Sequence, residues 1–363
     1  MFWDAAGIAG LANTGSVQPR SLLPAWLAAL VWGLAACGSA WAATPPLPCP
    51  LSGGWRVARE LELPRRNGVG DAIGGFSAAH YDPALDQLLL LSDLPNGAVT
   101  LWAGLARGAA PSLAALTPLR SGAAMDGEGL VPLAGQWWVA SEGRRSAERP
   151  AQLLRFTAPG GSLGAAWELP PAWQPEPGQG LPSNGGPESL LLLPNITGGA
   201  GPSLLMAAEI ALLQDPPRQV RLLRWDWPAG ADPATAAPQP TAQGALLLPV
   251  GEGWGLTDLL AAGPQRLLGL LRRFEPPNHW QIRLALYPLP AAASLGAVAP
   301  LAEWDLMAAG LAPDNWEALT PGPSLPDGSP TLLLASDDNL NPLQANRLAL
   351  LVAHRSPACP LSR

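Results

Sequence analysis

One unit recurs five times along the chain, and this repeat constrains the fold more than any other feature. Each copy starts with a small or acidic residue, continues into an apolar strand and a polar loop, and ends in a strand flanked by arginine. The copies occupy residues 74–104, 126–161, 185–227, 253–289 and 314–353. Strand-rich repeats of this kind are typical of propellers, in which the repeats are arranged radially around a central channel.

The sequence therefore predicts an all-β fold, a β-propeller of five or six blades closed by N- and C-terminal strands. The segment WRVARELELP, residues 55–64, is the candidate strand that completes the last blade from the N-terminus. The 43 prolines and 40 glycines are scattered through the chain, which fits many short elements joined by tight turns. We expect residues 43–363 to form a single domain.

The N-terminal segment has the pattern of a targeting signal. An apolar stretch over residues 21–42 ends in small residues, as secretory signals do. Ala40-Trp41-Ala42 is an A-x-A cleavage site, whereas Leu34-Ala35-Ala36-Cys37 matches a lipobox in which Cys37 would carry the lipid. An uncleaved membrane anchor is the third option. We expect residues 1–42 to act in one of these three ways and the protein to be exported, to the periplasm or beyond the cell.

Export would place the two remaining cysteines in an oxidising compartment. Cys49 and Cys359 lie at the two ends of the mature chain. In an oxidising compartment they can form a disulfide that joins the termini of a closed ring. The alternative is two unpaired thiols near frayed ends.

Acidic residues recur at two places in the repeat. One set lies just before the first strand and contains Glu128, Glu188, Asp258 and Glu317. The other set lies after the second strand and contains Asp93, Glu142, Glu209, Asp337 and Asp338. In a propeller, recurring positions on the innermost strands converge at one mouth of the central channel. Carboxylates brought together in this way repel one another unless a cation or a proton intervenes. Clustered oxygen donors suit Ca²⁺, but acids at these positions can equally accept backbone hydrogen bonds and fix one blade to the next.

The densest acidic stretch is SDDN, residues 336–339, between the apolar runs TLLLA and RLALL. Its length and the following Asn-Pro suit a turn between two strands. We expect Asp337 and Asp338 to face a metal, with Asn339 as a carbonyl ligand.

Five motifs occur in order along the repeat units: GGFSAAHYDP…LLLLSD (74–93), DGEGL with WWVASEG (126–143), NGGPESL (184–190), DNWEAL (314–319) and SDDNLNPLQ (336–344). In these motifs the chain resembles the phytase-like family described by "esterase-like activity of phytase". The resemblance extends over residues 70–353. Where other members show Glu-Arg, this chain has Arg272 and Arg273.

The resemblance implies an exported relative of the calcium-dependent propeller phytases, with Ca²⁺-assisted hydrolysis of phosphomonoesters. The substrate would be a small anionic or phosphorylated molecule. Arginines in the loops beside the acids would clamp its phosphate, and the candidates are Arg144, Arg145, Arg272 and Arg273. The loss of an acid at Arg272 puts a complete ring of carboxylates in doubt and offers an anion site instead.

Two other functions remain open on the sequence. One is an extracytoplasmic propeller that binds a ligand without catalysis. The other is a serine carboxylesterase, because GGSLG (160–164) matches G-x-S-x-G, although Ser162 follows a strand and precedes no helix, as a nucleophile elbow would require. The acidic chain, with a net charge of −7, argues against nucleic-acid binding. We expect a monomer that meets a membrane only through the N-terminal segment or a lipid at Cys37.

Overall fold

The computed structural model describes residues 47–48, 54–93, 97–108, 110–143, 150–194 and 201–354. Contacts divide the chain into two units, Met1–Ala40 and Trp41–Arg363, and all the described residues belong to the second. Within this described part, no helix has the length and apolar character needed to cross a bilayer. Cys37, Cys49, Cys359, Arg144 and Arg145 lie outside it.

Five sheets form the blades of a β-propeller, and all but one of their strand pairs are antiparallel. Blade 1 contains β2 (Phe76–Asp82), β3 (Gln87–Ser92), β4 (Ala98–Ala103) and β5 (Ser112–Pro118). Blade 2 contains β6 (Gly127–Leu133), β7 (Gln136–Ser141), β8 (Gln152–Thr157) and β9 (Leu163–Glu168). Two 3₁₀ helices, Leu105–Arg107 and Pro171–Trp173, lie in the connections.

The other three blades follow the same plan with small variations. Blade 3 contains β10 (Pro187–Leu193), β11 (Ser203–Ala208), β12 (Gln219–Asp226) and β13 (Gln239–Leu247), to which β17 (Ala297–Val298) adds in parallel. Blade 4 contains β14 (Trp254–Ala261), β15 (Arg266–Glu275), β16 (His279–Pro288) and β18 (Ala302–Asp305). Blade 5 contains β19 (Trp316–Gly322), β20 (Thr331–Ser336) and β21 (Arg347–Ala353), and its outermost strand is β1 (Trp55–Glu62).

The first strands of the blades form a closed ring. Contacts run from β2 to β6, then to β10, β14 and β19, and from β19 back to β2. The predicted propeller is therefore confirmed, with five blades.

The ring is closed by pairing the two ends of the described chain within one sheet. Strand β1 runs antiparallel to β21, with Trp55 opposite Ala353 and Glu62 opposite Arg347. The predicted role of residues 55–64 is thus confirmed. Because β1 pairs with the outer side of β21, it covers a strand edge that would otherwise be exposed.

Position within a blade decides how apolar a strand is. The second strands β11 and β20 are buried along their whole length, since blades pack face to face against both of their surfaces. The outer strand β9 instead shows exposed and half-buried residues. This explains why runs such as TLLLA lack the alternation expected of a strand with one face in water.

The tryptophans serve mainly the packing between blades. Trp137, Trp138, Trp225 and Trp227 are all buried. The ring of Trp138 meets the ring of Trp227 edge-on, with centroids 4.9 Å apart. Trp55 on the closing strand similarly meets Trp304 of blade 4 edge-on at 6.2 Å.

Truncating Trp55 should therefore weaken the closure of the ring. We expect Trp55→Ala to lower the free energy of unfolding by about 3–5 kcal/mol, the usual cost of removing a large buried aromatic ring. Urea denaturation followed by far-UV circular dichroism measures this. Leu343→Ala is the matched control, because Leu343 is 93% exposed, and an equal effect in both variants would contradict the role given to Trp55.

Candidate functional site

A β-bulge near the start of the first strand turns one side chain of each blade. The register shifts at the same point in all five blades, and the residues at the shift are Ser77, Glu128, Glu188, Thr257 and Glu317. A bulge inserts one residue into the strand and re-aims its side chain. Three of the five blades therefore present a glutamate at equivalent positions of the ring.

A second position recurs directly after the second strand. In four blades it holds an acid whose backbone N–H donates at 2.8 Å to a carbonyl two residues before the bulge. These bonds join Asp93 to Gly75, Glu142 to Asp126, Glu209 to Gly186 and Asp337 to Asn315. In blade 4 the corresponding pair is Arg272 and Gly255. The arginine therefore occupies the place that an acid has in the other blades.

These two positions surround one cavity of about 350 Å³, at the end of the ring where the first strands begin. Among the described residues, eight carboxylates and one guanidinium line it: Asp93, Asp126, Glu128, Glu142, Glu188, Glu209, Glu317, Asp337 and Arg272. Three asparagines, Asn184, Asn315 and Asn339, complete its polar wall. Seven of the acids proposed from the sequence are thus brought together, with Asn339.

Three of the carboxylates are close enough to bind a single cation. One oxygen from each of Asp93, Asp126 and Glu128 lies within 4.8 Å of the other two. Ca²⁺ binds oxygen ligands at 2.3–2.6 Å, so two ligands of one ion lie within about 5 Å of each other. The donor set, made only of carboxylate oxygens, therefore fits Ca²⁺ and other hard cations.

Among the described residues, Glu128 and Glu188 have none of the partners that buried carboxylates normally have. They are only 7% and 8% exposed, and no hydrogen bond or ion pair within the described part of the chain reaches either side chain. A buried charge without a partner is costly, so such groups are normally paired or bind a metal. This is the second observation that favours a cation in the cavity.

Electrostatics in the cavity favour uptake of protons or cations. Burial, and then the neighbouring carboxylates, raise the pKa of Asp93 and of Asp337 to about 7. The same causes raise the pKa of Glu128 and Glu188 well above the usual range. Burial also raises the pKa of Glu317 to about 8, although the Arg272 guanidinium opposes this rise. Near neutral pH the cavity therefore gains stability from any bound positive charge.

Arg272 supplies the positive charge of the cavity wall. Its guanidinium pairs with Glu317 and Asn315 and, at 3.2 Å, with Glu209. Burial opposes its charge, but the surrounding carboxylates outweigh burial and raise its pKa further. Arg273 has a different role, because it pairs with Glu275 and does not line the cavity.

Two of the acids expected at the metal site lie elsewhere. Asp258 follows the bulged residue, so its side chain leaves the cavity and accepts N–H bonds from Leu259 at 2.7 Å and from Leu319 of blade 5 at 2.6 Å. Asp338 accepts from the Gly75 N–H at 3.1 Å and forms an ion pair with Arg65 at 2.7 Å. Both carboxylates hold loops and blades together, which corrects their assignment as metal-facing residues.

Apart from Gly253, which has no side chain, five cavity residues were missed as site residues from the sequence. Asp126, Asn184 and Asn315 stand two or four residues before a bulged glutamate, inside the motifs DGEGL, NGGPESL and DNWEAL. Their fixed spacing before the glutamate was the available signal. Phe274 and Trp280 lie at the cavity mouth on the β15–β16 hairpin, and no repeated pattern marks them.

Comparison with known families identifies one match. The family model described as "Phytase-like: Esterase-like activity of phytase" matches residues 71–340, a range that contains every residue of the cavity wall. No curated protein matches the chain.

Solved structures share its architecture only at a distance. The N-terminal domain of Nup159 is 7% identical over 85% of this chain and 99% of its own, with a TM-score of 0.38. The Neurospora crassa Pan2 WD40 domain is 7% identical over 85% and 98%, with a TM-score of 0.35. A protein of unknown function from Dyadobacter fermentans is 14% identical over 83% and 87%, with a TM-score of 0.39. Scores this low say nothing about function.

The raised pKa values predict how stability varies with pH. For Asp93, Asp337 and Glu317 the folded-state pKa of about 7 to 8 exceeds the ordinary values of 3.8 and 4.5. The folded protein therefore holds more protons than the unfolded chain between these limits, and stability falls as the pH rises from 5 to 8. In a chelating buffer we expect the melting temperature to drop by several degrees over this interval, measured by differential scanning calorimetry. A flat or rising profile would contradict the raised pKa values.

Substitution of a cavity acid and of a structural acid should have opposite effects. At pH 8 in chelator, Glu188→Gln should raise the melting temperature, because it removes one buried charge from a group of like charges. Asp258→Ala should lower stability by about 2 kcal/mol, because the N–H groups of Leu259 and Leu319 lose their acceptor. Thermal melts of both variants beside the wild type decide this, and destabilisation by Glu188→Gln would count against the repulsive cavity.

Proposed function

The chain belongs to the phytase-like family, and from this premise we propose that it is an exported, calcium-assisted hydrolase of phosphomonoesters. The observation that carries the proposal is the group of three carboxylates, Asp93, Asp126 and Glu128, within an acidic cavity. The family, the cavity and the chemistry of its ligands point in the same direction.

Asp93, Asp126 and Glu128 would hold the calcium ion. When bound, calcium would supply Lewis-acid polarisation of a phosphoryl oxygen and a lowered pKa of a coordinated water. The backbone bond from Asp93 to Gly75 and the bulge at Glu128 fix two of these ligands before any ion arrives. Such preorganisation lowers the conformational cost of binding.

The charge of the cavity dictates that substrate affinity depends on cations. Eight carboxylates face one guanidinium among the described wall residues. A phosphate monoester entering these walls would be repelled as long as the carboxylates remain ionised and uncompensated. The proposal therefore includes an order, in which substrate affinity appears only after calcium is bound.

Among the described residues of the cavity wall, Arg272 is the one whose guanidinium would orient the phosphate. Its bonds to Glu317, Asn315 and Glu209 hold the guanidinium rigidly. A guanidinium carries five N–H donors, so donors remain for a phosphoryl oxygen. Arg144 and Arg145 keep their place as proposed clamps, although they lie outside the described residues.

The second candidate is a propeller that binds cations or another ligand without catalysis. The observation in its favour is that Arg272, the one guanidinium of the described cavity wall, is already paired with two carboxylates. Such a wall recognises positive charge more readily than phosphate.

The serine esterase is disfavoured by the surroundings of Ser162. This residue lies in the turn between β8 and β9 rather than in a strand-to-helix elbow, and its N–H donates to Thr157 Oγ1 at 3.2 Å. None of the hydrogen bonds between described residues joins Ser162 to a histidine. The described residues therefore do not bring a histidine base to Ser162, as a serine nucleophile requires.

Export, a disulfide between Cys49 and Cys359, and a signal or lipid attachment at Cys37 remain part of the proposal. The N-terminal apolar segment supports export, and oxygen-rich calcium sites suit the calcium-rich extracytoplasmic space. The partner would be a small phosphorylated molecule rather than nucleic acid, and the protein would act as a monomer.

Phosphate release and thermal stability together test the proposed function. With calcium we expect hydrolysis of phosphomonoesters and a melting temperature several degrees higher, since a ligand present at 100 times its Kd adds about 2.7 kcal/mol of stability. Glu128→Gln and Asp93→Asn should lose both effects, whereas Asp258→Asn should keep both.

Each alternative gives a different result in the same assays. A stability gain from calcium without phosphate release would identify the binding propeller. Hydrolysis of short acyl esters in chelator, lost in Ser162→Ala, would identify the serine esterase. If calcium produced no stability gain and no phosphate release, the calcium site itself would be overturned.

A further inference from the structure

The hairpin of β15 and β16 extends an aromatic pair over the acidic cavity. Its two strands have ten residues each, whereas the second strands of the other blades have six. Phe274 and Trp280 are directly opposite each other near its tip, with ring centroids 4.5 Å apart and planes inclined by 39°. Both side chains line the same cavity as the carboxylates.

The two rings are unusually exposed for this protein. Of the twelve tryptophans in the described part of the chain, ten are buried, and only Trp167 and Trp280 are half-buried. Phe274 is 42% exposed. Aromatic surface left in water at the mouth of a polar cavity is unfavourable for the isolated protein, and such patches often mark binding sites.

The hairpin also fixes how far the rings stand from the charged wall. Alternate residues of a strand share a face, so Phe274 lies on the same face as Arg272 and about 7 Å further along the strand. The indole N–H of Trp280 donates to Asn278 Oδ1 at 3.1 Å within the hairpin. This bond holds the indole through its N–H group and therefore occupies neither face of the ring.

We propose that Phe274 and Trp280 form a subsite for an aromatic ring in the alcohol part of the phosphomonoester. This inference rests on the proposed function and adds the class of substrate, namely aryl and benzyl esters rather than compact aliphatic ones. The separation of about 7 Å matches a phosphate beside Arg272 and a ring one or two bonds beyond the ester oxygen. A ring stacked there would also turn its electropositive edge toward the acidic wall.

Paired substrates and paired ligands test the subsite. In the calcium-loaded protein, the kcat/KM for benzyl phosphate should exceed that for glycerol phosphate by about tenfold, as expected for one or two aromatic contacts, since the two leaving alcohols are of similar acidity. The double variant Phe274→Ala with Trp280→Ala should remove this preference, so that the two esters are hydrolysed with similar kcat/KM. Trp280→Phe should retain most of the preference, and Trp167→Ala, which removes the other half-buried tryptophan, should retain all of it.

A binding measurement separates failure of the subsite from failure of the proposed function. Phenylphosphonate is not hydrolysed, and by isothermal titration calorimetry it should bind the calcium-loaded protein about tenfold more tightly than methylphosphonate. The double variant should bind the two equally. That result would uphold the subsite even if no ester were hydrolysed.

Two outcomes would overturn the inference. One is equal affinity for both phosphonates in the wild type, with hydrolysis of both esters at similar rates, which would leave the proposed function standing. The other is tight binding of benzyltrimethylammonium without calcium that is lost in the double variant. In that case the rings and carboxylates would recognise an organic cation through cation–π contacts instead of an ester.

Discussion

Repulsion between buried carboxylates is the interaction on which the rest of the structure depends. Eight acids share one cavity with a single guanidinium in its described wall, and three of them approach closely enough for one cation. Water-exposed acids would simply move apart, but these cannot, because bulges and backbone bonds fix their main chains. The rigid ring thus holds like charges together at a cost in stability that only protons or cations can offset. A bound cation would therefore stabilise the fold by relieving this repulsion.

The bulged position of the first strand serves two purposes that together build the cavity. In blades 2, 3 and 5 it holds a glutamate that faces inward, whereas blades 1 and 4 have hydroxyls. Ser77 Oγ donates to the Gly127 carbonyl at 2.5 Å, and Thr257 Oγ1 approaches the Trp316 carbonyl at 3.4 Å. Each of these carbonyls immediately precedes the bulged glutamate of the next blade. The hydroxyls therefore support the backbone from which Glu128 and Glu317 project, so that blades without an acid position the acids of their neighbours.

Periodicity was sufficient to predict the fold and most of the acidic cavity, but not the direction of individual side chains. Five repeats and one leading strand predicted the propeller and its closure, because blade architecture depends on where strands occur and little on their details. Asp258 was assigned wrongly because it is adjacent to the bulged Thr257, and a shift of one residue in a strand reverses the side chain. Asp337 and Asp338 differ for a similar reason, since one faces the cavity and the other faces Arg65 and Gly75. Phe274 and Trp280 belong to one blade only, so repetition could not reveal them.

Blade 4 gives the cavity its asymmetry, and asymmetry is what a molecule larger than an ion can recognise. A ring of five equivalent acids would attract cations but would not orient an ester. Blade 4 replaces the inward glutamate with Thr257 and the second acid with Arg272, and its longer hairpin adds Phe274 and Trp280. The position of Arg272 between Glu209 of blade 3 and Glu317 of blade 5 places the positive charge at one side of the cavity. Blades 1, 2, 3 and 5 thus supply the carboxylates that would hold a cation, and blade 4 supplies the groups that would orient a substrate.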